Sequence, residues 1–163
     1  SIQQSINRFP SEAWFMQNLI NLYINSGQEE KAIEYLDLAI AREPNVGQYY
    51  NSKGSILARI GRFEESFKAF EQAIAIEPNN ALFLETLGFA YVDLGNKLND
   101  DAAYLDNKAY AKAKVEIDAA FQKALPYFEK AYELEPDNYD YKRSLRSLYY
   151  RLGMNDKYEA LAD

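Results

Sequence analysis

The chain has no cysteine and no histidine among its 163 residues. Without cysteine there is neither a disulfide framework nor a thiolate nucleophile, and such a chain suits oxidising and reducing compartments alike. Without histidine the usual general base and the commonest metal ligand are missing. Long apolar runs are lacking too. The longest, around Leu87 to Val92, stops at Asp93, far short of a membrane span. Residues Ser1 to Pro10 have no apolar centre of the kind a secretion signal needs. Positive charge is in deficit, since 18 Lys plus Arg face 25 Asp plus Glu for a net charge of −7. A polyanion meets net repulsion, which argues against nucleic acid as a partner.

Proline and glycine are few, and their positions carry the message. Pro10, Pro44 and Pro78 stand 34 residues apart, and Pro136 follows after 58, or 34 plus 24. Gly27, Gly61, Gly95 and Gly153 keep the same intervals, as do Tyr23, Leu57, Tyr91 and Tyr149. Ala39, Ala73 and Ala131, and Leu36, Phe70 and Phe128, repeat with them. A shared period of this length marks stacked repeat architecture. With 48% apolar residues the chain can fill the core of one all-α solenoid domain.

Within one period, Met16, Leu19, Ile20 and Tyr23 form one helical stripe, and Ala32, Ile33, Leu36, Ala39 and Ile40 a second, with a break at Asn25-Ser26-Gly27. The unit is a helical hairpin. Gly27 ends the first helix, Glu29-Glu30 place negative charge at the start of the second, and Pro44 stops it. Gly54 and Gly88 stand where the two helices must approach closely, as do Ala32, Ala39, Ala73, Ala124 and Ala131.

The order Leu87-Gly88, Tyr91, Gly95, Ala124, Phe128, Ala131 and Pro136 resembles the tetratricopeptide repeat, and the resemblance covers almost the whole chain. Departures are Met16, Tyr50 and Leu84 at the family's Trp position, Ser66 at its Ala, and Ile20 and Arg146 at its small residue, Arg146 implying different packing in the last repeat. The division expected is a partial repeat at 1–10, repeat 1 at 11–44, repeat 2 at 45–78, repeat 3 at 79–136 and a partial terminal repeat at 137–163. Residues 1–10 read either as the tail of an earlier repeat, making the chain a piece of a longer protein, or as a short capping helix.

The 24 extra residues of repeat 3 fall within 96–123, between Gly95 and Ala124. Ala102 to Ala124 is rich in alanine and free of glycine and proline, so the spacing predicts that both helices are prolonged into a longer hairpin. Asn99, Asp100 or Asp101 is the expected N-cap, and Pro126 a kink or a junction between helices. Five lysines between Asn96 and Lys123 are matched by five acids, the balance of a solvated surface. Tyr104, Leu105 and Tyr110 read either as packing inside this hairpin or as an exposed secondary contact. The segment Ala-Leu-Pro-Tyr-Phe-Glu-Lys-Ala at 124–131 is similar to bacterial tetratricopeptide proteins with a lengthened repeat, and that likeness implies the cell envelope rather than the cytoplasm.

No catalytic constellation is present. Neighbouring carboxylates such as Glu64-Glu65 project about 100° apart on a helix and suit helix-start charges, not acid–base pairs. There is no Gly-rich phosphate loop, and no cofactor or metal is expected. The family resemblance implies a concave face lined by the first helix of each repeat. Carried over residue by residue, that face comprises Trp14, Gln17, Asn18, Asn21 and Asn25, then Gln48, Asn51, Ser52, Ser55 and Arg59. Glu85, Thr86 and Phe89 follow from repeat 3, and Arg143, Ser147 and Arg151 from the last first helix. Trp14 reads first as packing and otherwise as a groove contact. The amides offer donors and acceptors to the backbone of an extended peptide, or merely keep the face soluble. The basic clamp of the chaperone-tail members is not matched: Asn21 fits one place, but Gln17, Ser52, Leu82 and Thr86 occupy the others. These features imply a non-enzymatic interaction scaffold for a protein or peptide. The alternatives are a docking or regulatory domain of a larger enzyme, or a scaffold that self-associates.

Overall fold

A computed structural model of the chain describes the backbone of residues 13–162 and the side chains of residues 18–162. The helix tail expected at 1–10 and the side chains of Trp14 and Gln17 lie outside the described residues. The described chain is all helical, without strand: α1 (Ala13–Asn25), α2 (Glu29–Arg42), α3 (Gly47–Arg59), α4 (Phe63–Ile76), α5 (Ala81–Ala102), α6 (Asn107–Leu134), α7 (Tyr139–Arg151) and α8 (Asn155–Ala160). They form two compact units that divide after Ile76.

In the first unit α1 pairs with α2 and α3 with α4. The turn at Gly61 shows why the sequence breaks there. Its φ of +82° is left-handed, which glycine adopts without a Cβ penalty, and the amide of Arg62 then donates back to the carbonyl of Leu57 at 2.9 Å. The turns at Gly27 and Gly153 are alike. Inside the hairpin, the Ser66 hydroxyl donates to the Gly54 carbonyl at 2.8 Å, and a Cβ on Gly54 would lie 2.9 Å from the Phe70 ring. Close approach is what lets Leu36, Leu57, Phe70 and Ala73 bury almost completely. Each large side chain buried in this way stabilises by about 1.5–3 kcal/mol. Across the turns, Arg62 reaches Glu30 at 3.0 Å and Glu65 at 2.6 Å, so the carboxylates at the helix starts are structural charges.

The second unit is built on α5 and α6, which are 22 and 28 residues long. Residues 96–102 continue α5 and residues 107–123 open α6, so the 24 additional residues extend a helical pair joined by a short turn. Gly95 keeps the interval of Gly27 and Gly61 without ending a helix. It lies inside α5, where a Cβ would come within 2.8 Å of Phe121 Cζ. Gly88 meets Phe128 in the same manner, at 2.6 Å. Gly95 follows Gly88 by seven residues and Phe121 precedes Phe128 by seven, so the extension repeats one antiparallel contact two turns further out. The N-cap of α6 is not where expected. Asp106 holds it, its side chain accepting from the Ala109 amide at 2.8 Å, while Asn99, Asp100 and Asp101 lie within α5. Pro126 sits inside α6, which runs through it as one helix.

Helix α7 buries Tyr141, Leu145, Leu148 and Tyr149. The Tyr149 hydroxyl donates to Glu129 Oε1 at 2.8 Å, and Lys157 of α8 donates to the same oxygen at 3.0 Å. Burial pushes the Glu129 carboxyl up, but these two hydrogen bonds outweigh it and hold the group below the ordinary glutamate range. One carboxylate thereby ties three helices together.

Candidate binding surfaces

In the first unit the stripe Gln48, Asn51, Ser52, Ser55, Ile56 and Arg59 faces one side of α3, because residues three and four apart share a helix face. Together with Ile20 and Ile24 of α1 it lines a cavity of about 270 Å³. The five expected groove residues of repeat 2 are thus brought together. Gln48 Nε2 donates to Ser52 Oγ at 3.2 Å, and the Ser55 hydroxyl donates to the Asn51 carbonyl at 3.1 Å. Arg59 lies 3.8 Å from Glu29, so this cavity's one cation is screened. Asn51 is only 5% exposed and belongs as much to the core as to the cavity wall. Asn18, Asn21 and Asn25 are exposed on α1 but do not line the cavity; that helix contributes isoleucines instead. Ile20 gave the signal, as a bulky residue in the register of Gly54 and Gly88.

The second unit has a cavity of about 340 Å³ with a different lining. Phe89 and Val92 of α5 and Phe128 of α6 supply an apolar wall, and Arg143, Ser144, Ser147, Leu148 and Arg151 of α7 the rest. Of the expected groove residues, Phe89, Arg143, Ser147 and Arg151 meet here. Phe89 is 43% exposed, and its ring stands edge-on to Phe128 at 5.0 Å between centroids. Arg151 lies over the Phe121 ring at 4.4 Å, while Arg143 pairs with Asp140 at 3.2 Å. Glu85 and Thr86 do not reach the cavity. Glu85 is buried and accepts from the Ser144 hydroxyl at 3.0 Å, and the Thr86 hydroxyl donates to the Phe83 carbonyl on its own helix. Burial pushes the Glu85 pKa above the ordinary range and nearby Asp140 adds to the rise, against the opposing pull of Ser144 and Arg143.

The three residues of the extended hairpin separate. Tyr104, in the turn between α5 and α6, is 97% exposed, and Leu105 beside it is also exposed. Tyr110 is half-buried and its hydroxyl donates to Asn99 Oδ1 at 3.1 Å, so it packs inside the hairpin. Among the described residues no helix is long and apolar enough to cross a membrane, and no cluster of carboxylates could hold a metal ion.

Family models match the chain twice, a tetratricopeptide repeat over residues 16–46 and a TPR repeat over residues 54–95. No curated protein matches its sequence. Among solved structures, a human IFIT1 dimer with m7Gppp-AAAA is similar at 19% identity and a TM-score of 0.74, over 98% of this chain and 34% of that one. The chain therefore spans about a third of that protein's length. MamA is similar at 19% identity and a TM-score of 0.70, over 98% of this chain and 80% of that one. The first TPR of Spaghetti (RPAP3), bound to the HSP90 peptide SRMEEVD, is similar at 18% identity and a TM-score of 0.64, over 87% and 96%. Identities this low speak for the fold. With hairpins whose glycine turns and small-residue contacts recur at the period of the matched repeats, the chain carries tetratricopeptide repeats.

Proposed function

We propose that this chain is a non-enzymatic protein-interaction module whose two units each offer a cavity to an extended peptide segment of a partner protein. The observation that carries this reading is that Gln48, Ser52, Ser55 and Arg59 line one cavity of the first unit, while Phe89, Arg143, Ser147 and Arg151 line one of the second. The first offers amide and hydroxyl groups to a peptide backbone, and the second an aromatic anchor point with cationic edges. RPAP3, which shares the fold, is bound to a peptide. IFIT1, which also shares the fold, is found with m7Gppp-AAAA. A net charge of −7 and an arginine already near Glu29 favour polypeptide over nucleic acid for this chain. The hairpin turn is a second contact region in this reading, supported by the full exposure of Tyr104.

The test is selection of binders from a random peptide display library on the 163-residue chain. The variant Gln48→Ala/Ser52→Ala/Ser55→Ala should bind the selected peptides about tenfold more weakly or worse, since each hydrogen bond contributes about 0.5–1.5 kcal/mol. Phe89→Ala should do the same with no loss of helicity. Unchanged affinity in both variants would place the peptide elsewhere.

A further inference from the structure

The last hairpin breaks, on both of its helices, the rule that the two middle hairpins obey, and a cavity results. In the hairpin of α3 and α4, Gly54 and Ser66 are the small residues that let the two helices touch. Gly88 and Ala124 hold the same register in the next hairpin, and Arg146 and Tyr158 hold it in the last. Two small residues are thus replaced by two of the largest side chains. They settle against each other, the Arg146 guanidinium carbon lying 4.3 Å from the Tyr158 ring centre. Between α7 and α8 this leaves a cavity of about 190 Å³, bounded by Lys142, Arg143 and Arg146 and by Tyr139, Tyr158 and Leu161. Tyr139, Lys142, Arg143 and Arg146 recur at three- and four-residue steps, so one stripe of α7 presents three cations in a chain that is acidic overall.

No carboxylate lines this cavity. Arg143 is paired with Asp140, whereas Arg146 Nε is shielded from solvent and meets no hydrogen-bond acceptor among the described residues. A guanidinium whose flat face lies on an aromatic ring keeps its in-plane N–H groups for a ligand, and that edge matches a planar carboxylate in bidentate fashion. Arg146 itself lines the cavity. The two tyrosines and the leucine are poor surroundings for a strongly hydrated dianion but suit an anion borne on an apolar body.

We propose that this cavity is a binding site for a carboxylate attached to an apolar group, with Arg146 its principal partner and Lys142 and Arg143 supplying the positive field. The carboxylate has two sources, a free organic acid or an acidic side chain beside an apolar one in a partner protein. The site is separate from the peptide-binding surface proposed above, although Arg143 and Ser147 border both cavities.

The experiment titrates the 15N-labelled chain with benzoate, with acetyl-Phe-Glu-amide and with inorganic phosphate in separate arms, following the Arg146 Nε–H signal. A saturable shift with either carboxylate, and at least tenfold weaker with phosphate, is expected. The Arg146→Gln variant should lose at least tenfold in apparent affinity, and Arg146→Lys should recover part of it. Tighter binding of the dipeptide identifies a polypeptide source, and tighter binding of benzoate a free acid. Absence of saturation, equal response to phosphate, or an unchanged titration in Arg146→Gln overturns the proposal. Should that variant not fold, the Arg146 signal of the unaltered chain decides alone. Phe89→Ala must leave this titration unaltered, so its failure and that of the peptide-binding reading are told apart.

Discussion

Replacing Gly88 by alanine tests whether close helix contact, rather than helix propensity, fixes glycine at this place. In a helix interior the exchange favours folding by about 1 kcal/mol, because glycine loses more backbone entropy than alanine. Here, however, the new Cβ would lie 2.6 and 2.8 Å from Phe128 Cε1 and Cδ1. Ordinary carbon contacts need about 3.5–4.0 Å, so the ring must retreat by roughly 1 Å. It has little room: Phe128 is 2% exposed and stands against Phe89. Overpacking of this kind costs about 1–3 kcal/mol, leaving a net loss of about 0–2 kcal/mol, or a fall in Tm of a few degrees. In a Phe128→Leu background Cε1 and Cζ are gone and the branched methyls can turn aside, so the same Gly88→Ala exchange should be neutral or stabilising. Thermal melts of the four proteins should give a coupling of about 1–3 kcal/mol between the sites. Gly95→Ala with Phe121→Leu should behave alike, since that Cβ would lie 2.8 Å from the ring. A stabilising Gly88→Ala with no coupling to Phe128 would refute the packing argument.

Glu85→Gln should raise Tm at pH 7 and have little effect near pH 4. The folded-state pKa of Glu85 is raised, chiefly by burial, so its stability contribution is full below the unfolded value of about 4.3 and lost as pH rises through the folded value. Glutamine keeps an acceptor for Ser144 and carries no charge; a lower Tm at pH 7 than at pH 4, relative to the parent at each pH, would contradict the sign. Removing residues 97–120 should leave a cooperatively melting helical chain, because Gly95-Asn96 would then meet Phe121 at the spacing of Gly61-Arg62-Phe63. Circular dichroism showing a non-cooperative melt would make the extension part of the indispensable core. Asn51→Ala should lower Tm measurably, in contrast to Gln48→Ala, since Asn51 is 5% exposed.

Much of this fold was legible because its punctuation is chemical. A left-handed turn demands glycine and a hairpin contact demands a small residue, so Gly27, Gly61 and Gly153 declare turns, and Gly54 and Gly88 declare contacts. Gly95 is ambiguous for the same reason: a glycine at the 34-residue step can end a helix or let another cross it. What decides is the partner, and the seven-residue offsets from Gly88 and from Phe128 were present in the sequence. Burial of polar groups was not legible. Asn51 and Glu85 look like groove residues by register, yet a rotation of one position, about 100°, moves a side chain from the surface to the core. That rotation is set by packing across the helix pair. Ile20, bulky where Gly54 and Gly88 are small, shows the difficulty, since the cavity wall of α1 is isoleucine and not the asparagines beside it. Arg146 shows it more sharply. Its departure from the small-residue pattern was visible, but only placing Tyr158 opposite it reveals that both sides of one contact changed together, and a contact rebuilt from both sides creates a lined cavity where a single substitution would create a clash.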